Sequence, residues 1–282
     1  MFLLYVNEEI ELSNNKQIKE NLCRERENII EITGLTKIFG SKNKIVAVNE
    51  LSLTIKKGET FGLLGSNGAG KTTTVRMLNG ILKPTSGNAS INGYDIINDK
   101  DQVKKITGLL AETPGIYEKL SANEFLEFVG ALYKIESKKL QKRITSLLEL
   151  LELTPRKNHL IEGFSSGMKQ KILLAAALIN NPPLLFFDEP TSTLDPRSAY
   201  MIKELIKNLA SENGKTIVIC SHILPLVEEL CDRIGIMHEG KLVAIGTIDE
   251  ILDQAKAKTL EEAFIKLTGG EITTNLYSWR NE

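Results

Sequence analysis

The chain has 282 residues, of which 42% are hydrophobic and 25% charged, and a formal net charge of −1. That is ordinary for a folded globular protein and enough chain to bury a substantial core, as one large domain or two small ones. Nothing in so even a charge balance points to nucleic acid or an anionic membrane surface as partner.

Residues 1–28 form a polar, charge-rich leader with no clear strand pattern, which predicts a poorly packed extension. It opens with MFLLYV, a short apolar core without a basic flank, so no secretory signal is expected. No apolar run in the chain approaches the length of a membrane-spanning helix. The three cysteines, Cys23, Cys220 and Cys231, are odd in number and lack metal-ligand spacing, which fits free thiols in a reducing, cytosolic setting.

From Ile29 the pattern becomes strand-like. IIEITGL and VAVNELSLTI alternate apolar and polar residues as half-exposed strands do, and Lys57-Gly58 closes the second run in a turn. Lys56 and Lys57 read as solvated turn charges. The apolar run 60–64 then leads into GSNGAGKTT. Its spacing, Gly65-x-x-x-x-Gly70-Lys71-Thr72, fits a loop whose glycines let backbone N–H groups converge on an anion. A helix starting near Lys71 adds unpaired N–H groups and a positive dipole end at the same place. A chance glycine-rich turn would need neither the lysine nor the two threonines. The loop therefore predicts a nucleoside triphosphate site.

A long helical insert follows before residue 184. Ser121-Ala122-Asn123-Glu124 is a capping box, with Leu120 and Phe125 placed as its hydrophobic staple. Phe125, Phe128, Val129, Leu132 and Tyr133 mark one helical face, and Ile144, Leu147, Leu148 and Leu151 mark the next, both expected to form core. Further on, GFSSGMKQKILLAAAL sets Ser165, Ser166 and Gly167 at the front of a strongly helical run. Taken alone that is more often an N-cap, with a phosphate-holding helix start as the alternative.

The continuously apolar runs 184–187 and 216–220 suggest strands covered on both faces, hence a parallel sheet. The first ends in Asp188-Glu189, at the strand end where such sheets bind ligands. Asp188 would position Mg²⁺ with help from the Thr72 hydroxyl, and Glu189 would take a proton from attacking water; a strand-capping pair before Pro190 is the plainer alternative. His222, just past the second strand, is either a satisfied structural residue or a member of the same crevice. RIGIMHEGKLVAIG reads as a hairpin around Glu239-Gly240.

Taken in order, GSNGAGKTT, FSSGM, FDEP, Leu194-Asp195 and Ser221-His222 resemble the motif series of ATP-binding cassette (ABC) ATPases over roughly residues 29–270, nearest to the ATP-binding subunits of bacterial drug, antibiotic or sodium exporters. LTGGE near the C-terminus is similar to that group as well. The resemblance implies an α/β phosphate-loop NTPase with a mostly parallel core sheet, an N-terminal antiparallel β subdomain and an inserted α-helical subdomain at about 113–170, followed by a tail at 271–282. It implies an ATPase that uses ATP and Mg²⁺. Nucleotide would be held by Phe39, stacking on adenine where tyrosine is commoner, and by Gly65, Ser66, Asn67, Gly68, Ala69, Gly70, Lys71, Thr72 and Thr73. Lys71, Glu189 and His222 would be catalytic, with Thr72, Asp188 and Glu112 at the metal. Glu112, where the family usually has glutamine, would also sense the transporter. Ser165, Ser166 and Gly167 would serve a facing subunit, and Asp195 would couple the two sites.

The chain departs from the family at Ser166, Met168 and Thr193, none of which removes a group the chemistry needs. The implied partners are an integral-membrane permease and a second nucleotide-binding subunit, as a homodimer, with no nucleic acid. The implied location is cytoplasmic, peripheral on the inner face of the plasma membrane. A soluble cassette ATPase acting on nucleic acid or ribosomes is the main rival, but the long coiled coils, zinc-ligand cysteine pairs or second cassette of that class are missing. A non-catalytic nucleotide sensor is a third reading, disfavoured by the intact Asp188-Glu189 and His222.

Overall fold

The computed structural model describes residues 27–112, 115–192, 194–211 and 214–269. The expectations for the leader, the tail, LTGGE, Thr193 and Cys23 fall wholly or partly outside these residues.

One sheet is antiparallel throughout. Its strands are β1 (Asn28–Phe39), β2 (Ile45–Lys56), β4 (Ser86–Ile91) and β5 (Tyr94–Asp95), in the order β2-β1-β4-β5. The alternation read from sequence is realised in β2, where Leu51, Leu53 and Ile55 are buried and Ser52 and Thr54 exposed. β4 and β5 escaped the sequence reading. They turn through Asn92-Gly93, whose φ angles of 49° and 82° suit the two-residue hairpin turn that Asn-Gly favours. The antiparallel sheet is thus completed by residues that come after the phosphate-type loop.

The other sheet has the order β10-β9-β3-β8-β7-β6. β3 (Thr60–Leu64), β6 (Thr107–Leu110), β7 (Leu184–Asp188), β8 (Thr216–Ser221) and β9 (Arg233–His238) are parallel; β10 (Lys241–Gly246) is the antiparallel edge, joined to β9 through Glu239-Gly240. Every residue of β3, β7 and β8 is buried, because both faces are covered. The period of two sorts them. Leu184, Phe186, Val218 and Cys220 join the core shared with the antiparallel sheet, whereas Leu185, Phe187, Ile217 and Ile219 join a second core under the helical insert. Cys220 and Cys231 are free thiols, and burial pushes the pKa of each upward.

Nine α-helices fall within the described residues: α1 (Lys71–Leu78), α2 (Lys100–Ile106), α3 (Ala122–Leu132), α4 (Ser137–Leu150), α5 (Ser166–Leu178), α6 (Pro196–Ser211), α7 (Leu224–Leu230), α8 (Ile248–Ala255) and α9 (Leu260–Leu267). The capping box of α3 is formed as expected, Ser121 accepting from the Glu124 N–H and Glu124 accepting from the Ser121 N–H. The α4 face is buried at Ile144, Leu148 and Leu151, as read.

The α3 stripe needs correction. Phe125 is buried, but Phe128 is 41% and Leu132 67% exposed. The buried face is rotated toward Leu126 and Gly130, because Gly130 lets Leu140 of α4 approach to where a Cβ would meet it at 2.2 Å. With that contact made, Phe128 and Leu132 point away from the core.

Candidate active site

β3 delivers the chain to Gly65, whose N–H donates to the Ser221 carbonyl at 3.3 Å and ties the loop to the end of β8. Ser66, Asn67 and Gly68 are exposed, and the Ala69 N–H closes the loop onto the Ser66 carbonyl at 3.1 Å. Gly70 is the N-cap of α1. Its φ of 106° is one that only glycine adopts readily, and a Cβ there would lie 2.4 Å from the Ala47 carbonyl oxygen of β2. No side chain caps this helix, so its first N–H groups are left for an anion.

Lys71 is buried, its ammonium donating to the Gly65 and Ser66 carbonyls at 2.6 and 3.2 Å and lying 3.7 Å from Glu189 Oε1. Thr72 and Thr73 are half-buried in the first turn. The Thr72 hydroxyl lies near enough to the Asp188 carboxylate to act on it.

Asp188 is 1% exposed at the end of β7, and its Oδ1 has no hydrogen-bond partner among the described residues. Burial raises its pKa; the Thr72 hydroxyl and Lys71 oppose the rise, while the charges of Glu112 and Glu189 add to it. A buried carboxylate oxygen without a partner is costly, and a hard cation with oxygen preference is what would satisfy it. Among the described residues no group of three or more His, Cys, Asp or Glu side chains is arranged to hold a metal. Mg²⁺ does not need one, since it keeps several waters and takes phosphate oxygens with one or two protein ligands. The residues present fit that ion.

Glu189 follows in the left-handed region at φ 51°, which turns its side chain into the space beside Lys71. Its Oε1 accepts from the His222 Nδ1–H at 2.8 Å and its Oε2 from the Ser221 hydroxyl at 3.2 Å. The sequence pattern pointed to Glu189 and His222 but passed over the Ser221 hydroxyl. Its signal was a hydroxyl at the last position of a core strand, next to the histidine. Glu112 is exposed just past β6, near enough for its charge to act on Asp188. Phe39 is 40% exposed at the end of β1 and faces Ile45 of β2, two residues from the Ala47 carbonyl that abuts Gly70.

A second cluster is built elsewhere. Ser165 is the N-cap of α5, its hydroxyl accepting from the Met168 N–H at 3.3 Å, so the plainer capping reading holds. Ser165 and Ser166 are exposed. A Cβ on Gly167 would meet Ser198, Leu194 and Asp195 at 3.6–3.8 Å, and no residue of the 65–73 loop. Asp195 Oδ1 accepts from the Arg197 and Ser198 N–H groups at 3.0 and 3.1 Å. The hydrogen bonds of Ser198, side chain first, hold the Asp195 carboxyl below its usual range.

Residues 48–192 match the family model described as ABC transporter. The ABC transporter ATP-binding protein NatA of Bacillus subtilis is 37% identical over 246 residues, 86% of this chain and 99% of NatA. The chain belongs to the ABC transporter family, among its ATP-binding subunits. A second relative of this ABC ATPase is the bacitracin transport ATP-binding protein BcrA of Bacillus licheniformis, 43% identical over 76% of this chain and 68% of BcrA. A solved ATP-binding subunit of an ABC transporter superposes with a TM-score of 0.77 at 31% identity, covering 85% of this chain and 99% of the other. A dimeric ATP-binding cassette in a post-hydrolysis state, bound to ADP and Pi, superposes at 0.72 with 27% identity over 77% of this chain and 98% of that one. The protein is thus an ATP-binding ATPase with the α/β phosphate-loop fold expected. The family match covers the loop, the Ser165 helix start and Asp188-Glu189, while Phe39, Asp195 and His222 lie outside it.

Proposed function

We propose that this ABC ATPase powers a separate membrane permease, as an exporter, by closing two copies of itself around ATP. One observation carries the reading: the uncapped helix start beside Asp188-Glu189 and the helix start that exposes Ser165 and Ser166 do not meet. The uncapped start of α1 neighbours Asp188, Glu189 and His222, whereas the start of α5 neighbours Asp195. A second copy brings the α5 start of one chain over the loop of the other.

In this arrangement Phe39 stacks on the adenine, the 65–73 loop cradles the phosphates, and Lys71 turns from the Gly65 carbonyl to the β- and γ-phosphates. Thr72 and Asp188 hold Mg²⁺, with Glu112 beside them; when bound, the ion neutralises phosphate charge. Glu189 takes the proton of the attacking water, and His222 and Ser221, both hydrogen-bonded to its carboxylate, fix its direction. Ser165, Ser166 and Gly167 close on the γ-phosphate of the facing copy, and Asp195 connects the two sites. After hydrolysis, repulsion between the product phosphates reopens the pair.

The permease docks beside Glu112 and the helical part, about 113–170 of a cassette spanning 29–270. Tyr117 and Phe128, edge to face at 5.3 Å, and Leu132 present an exposed apolar surface there that supports this site. No described helix is long and apolar enough to cross a membrane, and docking on the permease would hold the chain peripherally on the inner face. The name of BcrA supports transport, and that of the linearmycin resistance protein LnrL supports export.

The test is Glu189→Gln with ATP and Mg²⁺, sized by light scattering. A stable dimer that Ser165→Ala weakens is expected. A monomer under these conditions, with Ser165→Ala leaving wild-type turnover intact, overturns the reading.

A further inference from the structure

The segment leading into α3 is stitched to the segment leading into α5. The Glu162 N–H donates to the Glu118 carbonyl at 2.9 Å and the Ile161 N–H to the Leu120 carbonyl at 3.0 Å. From the other side, the Ala122 and Asn123 N–H groups donate to the His159 and Lys157 carbonyls at 3.3 and 2.9 Å, around an antiparallel bridge between Ser121 and Leu160. Two ion pairs flank this zipper, Glu118 with Lys169 and Lys119 with Glu162.

The Glu118–Lys169 pair stands apart. Lys169 lies one turn into α5, and its N–H donates to the Ser165 carbonyl at 2.9 Å, so its backbone moves with the serine. A cation in a first turn opposes the helix dipole. Glu118 answers that charge from outside the helix, and the Lys169 side chain is only 27% exposed. On the far side Lys171 is answered in the same way by Glu152, at 3.6 Å, which also lies 3.7 Å from Arg197 of α6. The α5 start is therefore braced laterally, while Ser165 and Ser166 stay exposed at its tip.

We propose that Glu118 and Lys169 are positioning residues for the ATPase reaction: their pair fixes the angle at which Ser165 is presented to the nucleotide of a facing copy. This rests on the paired-site reading above. An ion pair that stays partly solvated, with Glu118 48% exposed, adds little to stability, so the pair's effect falls on the pose of α5 and leaves the fold intact. Breaking it weakens engagement of the facing nucleotide and raises the ATP concentration for half-maximal turnover, with a smaller change in kcat.

The experiment compares full-length wild type, Glu118→Lys, Lys169→Glu and the double swap, by ATP turnover and thermal melting. Each single variant is expected to raise KM about threefold, the size an exposed pair can supply, at an unchanged melting temperature. The double swap is expected to bring KM back toward wild type. Single variants with wild-type KM, or a double swap no better than the worse single variant, overturn the proposal. Should a reversal fail to fold, Glu118→Gln and Lys169→Gln test the same direction without introducing a like charge. Ser165→Ala separates the two readings. If it leaves turnover unchanged, the paired site itself fails; if it slows turnover while Glu118→Lys is silent, only the bracing role fails.

Discussion

At the scale of single residues the site is a set of opposed charges held out of water. Glu189 has an ammonium, an imidazole and a hydroxyl around one buried carboxylate. If it is the base, Glu189→Gln keeps the shape and removes the proton acceptor. Steady-state phosphate release is then expected to fall by about 10²-fold or more, with nucleotide affinity in an equilibrium binding assay retained. Lys71→Ala does the reverse: it removes the loop's buried cation, and the same binding assay is expected to show loss of affinity. Asp188 differs from both, because its Oδ1 has no partner among the described residues. Sequence pattern singles out the Asp-Glu pair, but which oxygen is left wanting depends on how deeply β7 sits and what faces its end.

At the scale of elements, two helix starts do different work because of what caps them. α1 begins at a glycine with no side-chain cap, and α5 begins at a serine that bonds its own third turn residue, Met168. Gly70→Ala sets a methyl against the Ala47 carbonyl at a φ that L-residues avoid. It is expected to cost about 1–3 kcal/mol, read as a lower melting temperature together with weakened nucleotide binding. Asp195 caps the start of α6, and its hydrogen bonds depress its pKa. The sign follows from linkage: the stabilisation is present above the unfolded-chain pKa and is lost as pH falls through the lower folded value. Amide exchange of residues 197–199 is therefore expected to quicken in Asp195→Ala, and in wild type only under acid. Element by element, β4 and β5 were legible in Asn92-Gly93, a two-residue hairpin signal between two short strands. The exposed half of the α3 stripe was not legible, since the rotation depends on Leu140 reaching Gly130 from another helix.

At the scale of the whole molecule, the proposed function makes the chain two half-sites on one body. The core sheet brings the ends of β3, β7 and β8 together and so assembles the loop, Asp188-Glu189 and Ser221-His222 from three distant stretches of chain. The helical insert holds the Ser165 start on a separate core. On the proposed reading such a chain turns over ATP only when paired. Specific activity is expected to rise with protein concentration at fixed saturating ATP, and the ATP dependence to show a Hill coefficient above 1 and no higher than about 2. Turnover per chain independent of dilution contradicts the pairing.

Sequence by itself determined the chemistry: which residues could cradle phosphate, which carboxylates end a buried strand, and the order of motifs that marks the family. Those are local facts, set by residue type and spacing along a few turns or strands. Only the tertiary structure decided which of them share a crevice. Gly65 reaches Ser221 and Glu189 reaches His222 because parallel strands far apart in the chain lie side by side. Ser165 instead falls beside Asp195, because the core under the insert carries α5 there. Burial and strand neighbours are non-local, and with them came the orphaned Asp188 oxygen, the supporting Ser221 hydroxyl and the brace between Glu118 and Lys169.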